Sequence, residues 1–213
     1  MILWIALALF SGYFIGCLHG SVIAQLLSGV NVKNKGVKNS GASNAAIVLG
    51  WKYGALVAVL DIFKGAAVVM GFRFLLSGSS LPDEMVWMLL FLAAAAVVFG
   101  HNFPFYMNFD GGKGTASVIG AMLALDWNLG LAGGLLLVLA ALATDYLVVG
   151  VLVLYGMFFA IAFWPAEGIW PLVTAFALFA MAVWKHLENI TRIKNGTENK
   201  VSSVFRKKPA GSA

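Results

Sequence analysis

Seven apolar runs, at roughly 2–28, 53–77, 85–100, 115–127, 129–145, 147–164 and 168–185, take up most of this 213-residue chain. A segment of about 20 apolar residues matches the hydrocarbon core of a bilayer. Only helices and closed barrels satisfy their own backbone groups there. These runs are continuous rather than alternating, which predicts helices. The chain is therefore expected to be an all-α integral membrane protein. Composition points the same way: 61% hydrophobic and 11% charged, against roughly 45–50% and 25% in soluble domains. No length remains for a separate soluble domain. Residues 1–201 read as a single membrane-embedded domain, and 202–213, polar, small and basic, as a disordered cytoplasmic tail.

The run count turns on 115–145. It could form one long helix, but Asp126-Trp127-Asn128-Leu129-Gly130 resembles an interfacial turn, which favours two short helices and seven spans over six. Basic residues set the orientation. Lys33, Lys35, Lys38 and Lys52 follow the first run, Lys113 the third, and Arg192, Lys194, Lys200, Arg206, Lys207 and Lys208 the last. Seven spans place all of these on one side, so the expectation is a seven-transmembrane-helix bundle with its N-terminus outside and its C-terminus cytoplasmic. The first run has no basic segment before it and is too long for a signal-peptide core, so it reads as the first span. Trp51, Trp87, Trp127, Trp164 and Trp170 lie near run ends, as an aromatic belt requires. The net charge of +5 is thereby read as a topology signal, and no nucleic-acid partner is expected. The lone cysteine, Cys17, sits inside the first run and reads as a packing residue, with no disulfide framework.

Four polar segments interrupt this pattern, all on the expected cytoplasmic side. The loop 29–44 mixes lysines and amides with Ser40-Gly41-Ala42-Ser43-Asn44, a composition that lets backbone amides approach an anion. Asp61 and Lys64, three apart on one helix face, lie about 12–17 Å into the second run. Charges that deep face a cavity or a partner. They read either as part of a site or as an ion pair locking helices together. Gly100-His101-Asn102-Phe103-Pro104 leads to Asp110-Gly111-Gly112-Lys113-Gly114-Thr115. Glycines around a lysine at a helix start predict an anion site. It is not a Walker A loop, because Met107 occupies the first glycine position. Finally His186, Asn189 and Arg192 recur every third residue on one helix face. The histidines show no ligand spacing, so neither a metal nor a cofactor is expected.

In order and in kind, these motifs resemble the membrane-embedded bacterial glycerol-3-phosphate acyltransferases that use acyl-phosphate donors. The resemblance runs over nearly the whole chain. It rests on Asp61-x-x-Lys64-Gly65, on Gly100-His101-x-x-Pro104 with Gly111-Gly112-Lys113-Gly114, and on His186-x-x-Asn189-Ile190 followed by Gly196-Thr197-Glu198. It implies seven spans, a cytoplasm-facing site in a bacterial plasma membrane, acyl phosphate and glycerol 3-phosphate as substrates, and lysophosphatidic acid and phosphate as products. Membrane lipid surrounds such a site. An acyl phosphate is already activated, so catalysis needs phosphate clamps, alignment and oxyanion stabilisation. The candidate catalytic residues are His101, as general base by residue type, with His186 and Asn189 as orienting groups. The candidate substrate-binding residues are Lys113, Gly111, Gly112, Gly114, Thr115, Asn44, Ser43, Lys64, Asp61 and Arg192. The His-x4-Asp motif of acyl-CoA-dependent acyltransferases is absent: Tyr106, Ala24 and Thr191 stand five residues after the three histidines.

The sequence departs from the family pattern in its first loop. Asn31 replaces aspartate, Lys33 arginine, Val37 and Lys38 Ser-Gly, and Ser43 threonine, while Ile47 stands where an arginine belongs. Upstream of that loop, His19 takes the place of a proline, and Asp145-Tyr146-Leu147-Val148-Val149 aligns with Arg-Tyr-x-Ser-Leu. Lysine replaces the charge of arginine but not its bidentate fork. Besides a working acyltransferase, the altered loop leaves open a weakened member that binds a phosphorylated lipid intermediate or regulates the active enzyme. The Asp61/Lys64 pair also allows a small-anion transporter, which the lack of internal repeats disfavours. No sequence signal sets the oligomeric state.

Overall fold

A computed structural model describes residues 1–204, and among these all regular structure is helical. The helices are α1 (Ile2–Gly16), α2 (Gly20–Ser28), α3 (Ala42–Leu49), α4 (Trp51–Leu76), α5 (Asp83–Asn102), α6 (Thr115–Leu125), α7 (Trp127–Thr144), α8 (Leu147–Phe163), α9 (Trp170–Lys185) and α10 (Leu187–Lys194). Each predicted apolar run coincides with one or two of them. Asp126 ends α6 and caps α7, its Oδ1 accepting from Leu129 N at 2.8 Å, so 115–145 is indeed two helices. Ile2–Ser28, Trp51–Leu76, Asp83–Met107 and Trp127–Thr144 are each long and apolar enough to cross a membrane. Trp170–Lys185 joins them if counted with Leu187–Lys194 across a 47° bend. The apolar α6, with 11 residues, rises only about 17 Å, and α8, with 17, about 25 Å. The tail expected to be disordered from 202 instead begins inside a 3-10 turn, Val201–Val204. The remaining residues, including Arg206, Lys207 and Lys208, lie outside the described ones.

The first run is not one straight helix. It breaks at Cys17–His19, and the broken backbone is satisfied by the charged pair of α4. Lys64 Nζ donates to Gly16 O at 2.9 Å and Leu18 O at 2.7 Å, while Asp61 Oδ1 accepts from Gly20 N at 3.3 Å. Tyr106 adds its hydroxyl to Cys17 O at 2.5 Å. A cation at the carbonyl end of α1 and a carboxylate at the amide end of α2 complement both helix termini. Broken helices persist at membrane depth only where protein supplies such partners.

The core is built around α5, whose Leu89, Phe91, Ala93, Ala94, Val97 and Val98 are fully buried. Helices approach closely through small residues, as lipid-embedded interfaces require. A Cβ on Gly16 would stand 2.3 Å from Val97 O, and one on Gly100 2.1 Å from Tyr13 O, so α1 and α5 touch backbone to backbone. Gly120 on α6 does the same against Ile62 O of α4, at 1.9 Å. The outer faces carry exposed Phe10, Phe63, Phe74, Leu139 and Phe176, the surface expected toward lipid. Trp51, Trp127 and Trp170 are the first residues of α4, α7 and α9, Trp164 follows the end of α8, and all four are exposed.

Candidate active site

At one end of the bundle the first loop, the α5–α6 loop and the α9–α10 segment converge. A single amide organises the first loop. Asn44, in the first turn of α3 and fully buried, donates from Nδ2 to Val32 O (2.7 Å), Lys35 O (3.0 Å) and Asn39 O (2.8 Å). Its Oδ1 accepts from Val37 N at 2.9 Å. The loop thereby closes on itself, and the Asn44 side chain is committed to shaping it. Lys33 reaches across to Asp110 at 2.6 Å, and Lys185 of α9 approaches the same carboxylate at 3.7 Å. Burial pulls the Asp110 carboxyl upward, but these two lysines outweigh it and hold the group below its usual range.

The α5–α6 loop folds back onto the end of α5. Asn108 and Phe109 both take left-handed φ values, 51° and 56°, and turn the chain sharply. Gly111 N then donates to Asn102 O and Gly112 N to His101 O, each at 3.0 Å. The two amides expected to meet a phosphate are thus spent on seating the loop. Both glycines are demanded by contact: a Cβ on Gly111 would lie 2.3 Å from His101 O, and one on Gly112 2.0 Å from His101 Nε2. Gly114, with φ +79°, starts α6 and backs onto Asn102, and Thr115 is its half-buried first residue. The first amides of α6 lack intrahelical partners by geometry, and Lys113 stands immediately before them.

His101 lies behind this loop, 3% exposed. Its Nδ1 sits 2.8 Å from Lys64 Nζ and 3.7 Å from Asp61 Oδ1, and its ring stacks on His19 at 4.4 Å. An ammonium only donates, so Nδ1 accepts and the ring proton resides on Nε2, against Gly112. Asp61, Lys64 and His101 therefore form one buried cluster linking α1, α2, α4, α5 and the glycine loop. None of the three is among the residues lining the two cavities at this end.

Those cavities share a wall. One, of about 600 Å³, is lined by Lys33, Lys38, Lys113, Lys185 and Arg192 against the carboxylates Asp110 and Glu188. The other, of about 630 Å³, runs between α3–α4 and α7–α8 and is lined by Ala46, Ile47, Ala55, Ala58, Val138 and Leu147 among others. Ser43, Asn44, His186 and Asn189 also line it. Lys113 and Arg192 belong to both. Lys113 donates to Asn189 Oδ1. Glu198 then ties the other side, accepting from Asn189 Nδ2 and from Arg192 Nε, both at 2.6 Å. Lys113, Asn189, Glu198 and Arg192 are one hydrogen-bonded chain. Burial, and next the Arg192 guanidinium, lower the Lys113 ammonium to about 8. His186 Nδ1 lies 2.8 Å from Ala182 O, which fixes the proton there and leaves Nε2 with the lone pair. Burial and the Lys113 charge push this imidazole down to about 4, so it is neutral.

The sequence reading brought Lys113, His186, Asn189 and Arg192 forward, and the fold brings all four together. It did not assign Glu198 a role, although that residue is the only carboxylate between Asn189 and Lys208 and stands in a strongly basic segment. Nor did it foresee Tyr106, whose hydroxyl reaches the helix break from 89 residues away.

Comparison with known proteins gives consistent relatives. A family model described as glycerol-3-phosphate acyltransferase matches residues 6–196. The chain is 46% identical over 197 residues to glycerol-3-phosphate acyltransferase 1 of Oceanobacillus iheyensis, covering 92% of this chain and 95% of that protein. It is 36% identical over 197 residues to glycerol-3-phosphate acyltransferase 2 of Thermotoga maritima, with the same coverages, 92% and 95%. Among solved structures it is similar to PlsY (YgiH), an integral membrane glycerol 3-phosphate acyltransferase. The glycerol 3-phosphate form superimposes with a TM-score of 0.80 at 28% identity, over 95% of this chain and 99% of that one. The lysophosphatidic acid form gives 0.74 at 26% identity, over 94% and 98%.

Proposed function

Because the chain belongs to the glycerol-3-phosphate acyltransferase family, we propose that it transfers an acyl group from acyl phosphate to the primary hydroxyl of glycerol 3-phosphate. The hydroxyl oxygen bonds to the acyl carbon as its proton passes to a phosphate oxygen, the bond from that carbon to the phosphate oxygen breaks, and lysophosphatidic acid and phosphate leave. The observation that carries this layout is the wall shared by a cation-lined cavity and an apolar one, with Lys113 and Arg192 in it. Glycerol 3-phosphate enters the polar cavity from water. The acyl chain of the donor lies in the apolar cavity, and its phosphate reaches the shared wall. Both substrates are anions, and the charge developing on the departing phosphate is stabilised by fixed cations in a partly dehydrated place.

Within this reading Lys113 and Arg192 bind phosphate, assisted by the first amides of α6 at Gly114 and Thr115. Asn189, held by Glu198, orients the acyl carbonyl or the acceptor. His186, with its lone pair on Nε2, lines the apolar cavity and accepts the hydrogen bond of the attacking hydroxyl, while a substrate phosphate is the stronger base available. Ser43 borders the same cavity. Lys38 and Lys185 supply positive charge to the polar cavity, whereas Ile47 lines the apolar one and supplies none. Asn44, Gly111 and Gly112 act by shaping the loops, and Asp61, Lys64 and His101 act as positioning residues behind them. The same reading takes the seven apolar helical segments as seven crossings of a bacterial plasma membrane, N-terminus outside, the site cytoplasmic and residues 1–201 one domain. The lysine-bearing loops gathered at one end of the bundle support that orientation.

Purified protein supplied with acyl phosphate and glycerol 3-phosphate should release phosphate and lysophosphatidic acid, and Lys113→Ala should abolish both. Turnover with acyl-CoA but not with acyl phosphate would overturn the donor assignment. A reporter fused after Ala213 that reads extracellular would overturn the orientation.

A further inference from the structure

The chain beyond α10 is fastened at two points, one on either side of a short strap. Glu198 holds the first, through Asn189 and Arg192, at the wall between the cavities. The second fastening is Asp145, in the turn between α7 and α8. Its carboxylate accepts from Ser202 N at 2.8 Å and from Ser202 Oγ at 2.9 Å, and its carbonyl accepts from Val201 N at 3.0 Å. Lys200 Nζ lies 4.0 Å from the same carboxylate. Asp145 takes a left-handed conformation, φ 64°, which aspartate tolerates better than most residues. Between the fastenings, Asn199, Lys200 and Val201 line the apolar cavity together with Leu147 and Val148.

This wall differs from the α3–α4 and α7–α8 walls, which are helices packed into the bundle. Asn199 and Lys200 are exposed and Val201 is half-buried, so little apolar contact holds the strap. Segments with few buried contacts open most readily. The hydrogen bonds to Asp145, two of them charge-assisted, are what fix its position. We propose that residues 199–201 form the adjustable wall of the acyl cavity, and that Asp145, by clamping them at Ser202, sets which acyl chains the enzyme accepts. The proposal rests on the acyl-transfer reading, with the donor chain in the apolar cavity. A fixed wall discriminates by about tenfold or more for one misplaced methyl group, whereas a released wall yields to it.

The test compares a straight-chain acyl phosphate with a methyl-branched one of equal length, measuring both kcat/KM and equilibrium binding. Asp145→Ala should lower the straight-to-branched ratio about tenfold, through the KM for acyl phosphate, and leave the KM for glycerol 3-phosphate in place, while Ser202→Ala, which keeps the bond from its backbone amide, should lower it less. An Asp145→Cys/Ser202→Cys double variant should show the relaxed ratio when reduced and the wild-type ratio when oxidised, Cys17 being buried. Equal use of the two donors by wild type, an unchanged ratio in Asp145→Ala, or an oxidised double variant that stays relaxed would overturn the clamp. Wild-type protein that binds acyl phosphate without turnover would reject the reaction instead, and the binding ratios would still decide on Asp145.

Discussion

Replacing Gly112 by alanine probes how tightly the lysine loop is seated. The added Cβ would stand 2.0 Å from His101 Nε2, 2.8 Å from Cδ2 and 2.9 Å from Cε1. Non-bonded contacts settle at about 3.5 Å or more, so one partner has to move by roughly 1.5 Å. The ring is poorly placed to yield. Lys64 holds it at 2.8 Å, His19 stacks on it, and it is 3% exposed. Turning it away strands a buried ammonium contact, at about 1.5–3 kcal/mol. Moving the loop instead breaks the Gly112 N to His101 O bond and carries Lys113 with it. Overpacking of this kind costs about 1–3 kcal/mol of stability. A misplacement of about 1 Å near the chemistry lowers the rate about a hundredfold, equivalent to roughly 2.7 kcal/mol.

The assay is phosphate release from acyl phosphate, with a thermal melt of the same preparation. Gly112→Ala is expected to lose about a hundredfold in kcat/KM. Gly71→Ala, on α4 with no atom within 4 Å of the added Cβ, is the control and should remain at wild-type activity. His101→Ala combined with Gly112→Ala removes the obstruction and should recover part of the loss if His101 only positions the loop. If His101 is the general base, its removal alone costs about 10²–10⁴-fold and the double variant is no better. Gly112→Ala with activity within about threefold of wild type and an unchanged melt would refute the idea of a loop pinned on a fixed ring.

Three further outcomes follow from the same geometry. Lys113, lowered to about 8, binds phosphate only while charged, so affinity for glycerol 3-phosphate should hold below that pH and fall as pH rises through it. Lys113→Arg should move this inflection out of range, and identical profiles for the two proteins would count against the assignment. Glu198→Gln weakens both 2.6 Å bonds to Asn189 and Arg192 and should raise the KM for the phosphate substrates about tenfold. Because the Glu198 charge raises the Lys113 value, the pH inflection should also move below 8, as a pH–KM series would show. Lys33→Ala breaks a pair whose Asp110 partner is 68% exposed, so the melt should report a change under about 1 kcal/mol.

How much of this was legible beforehand differs from residue to residue. The apolar runs were plain, because lipid acts on local sequence, and the turn at Asp126 was favoured over one long helix, because capping is local too. Lys113, His186, Asn189 and Arg192 were found because a glycine-flanked lysine and a three-residue spacing are local patterns too. Asp61 and Lys64 were visible as anomalous charges, but whether they served a site or a helix junction depended on what faced them. The break at Cys17–His19 was not foreseen, since His19-Gly20-Ser21 interrupts the apolar run 2–28 too briefly to end it. Glu198 was given no role, although it lies only six and nine residues from Arg192 and Asn189, because the turn after α10 that folds it back on them has no periodic signature. Asp145 escaped because its partners, Val201 and Ser202, lie across the fold.

The amino-acid sequence alone determined a membrane-embedded helical chain with phosphate-type chemistry in its polar segments. The reason is that the cost of exposing polar backbone to lipid and the attraction of an anion to lysine are properties of residue type and spacing. Only the tertiary structure decided that the buried charges of α4 close a helix break, that the amides of Gly111 and Gly112 face inward, and that a basic cavity and an apolar one meet at Lys113 and Arg192. Those outcomes depend on which groups are left without a partner once helices far apart in sequence pack together.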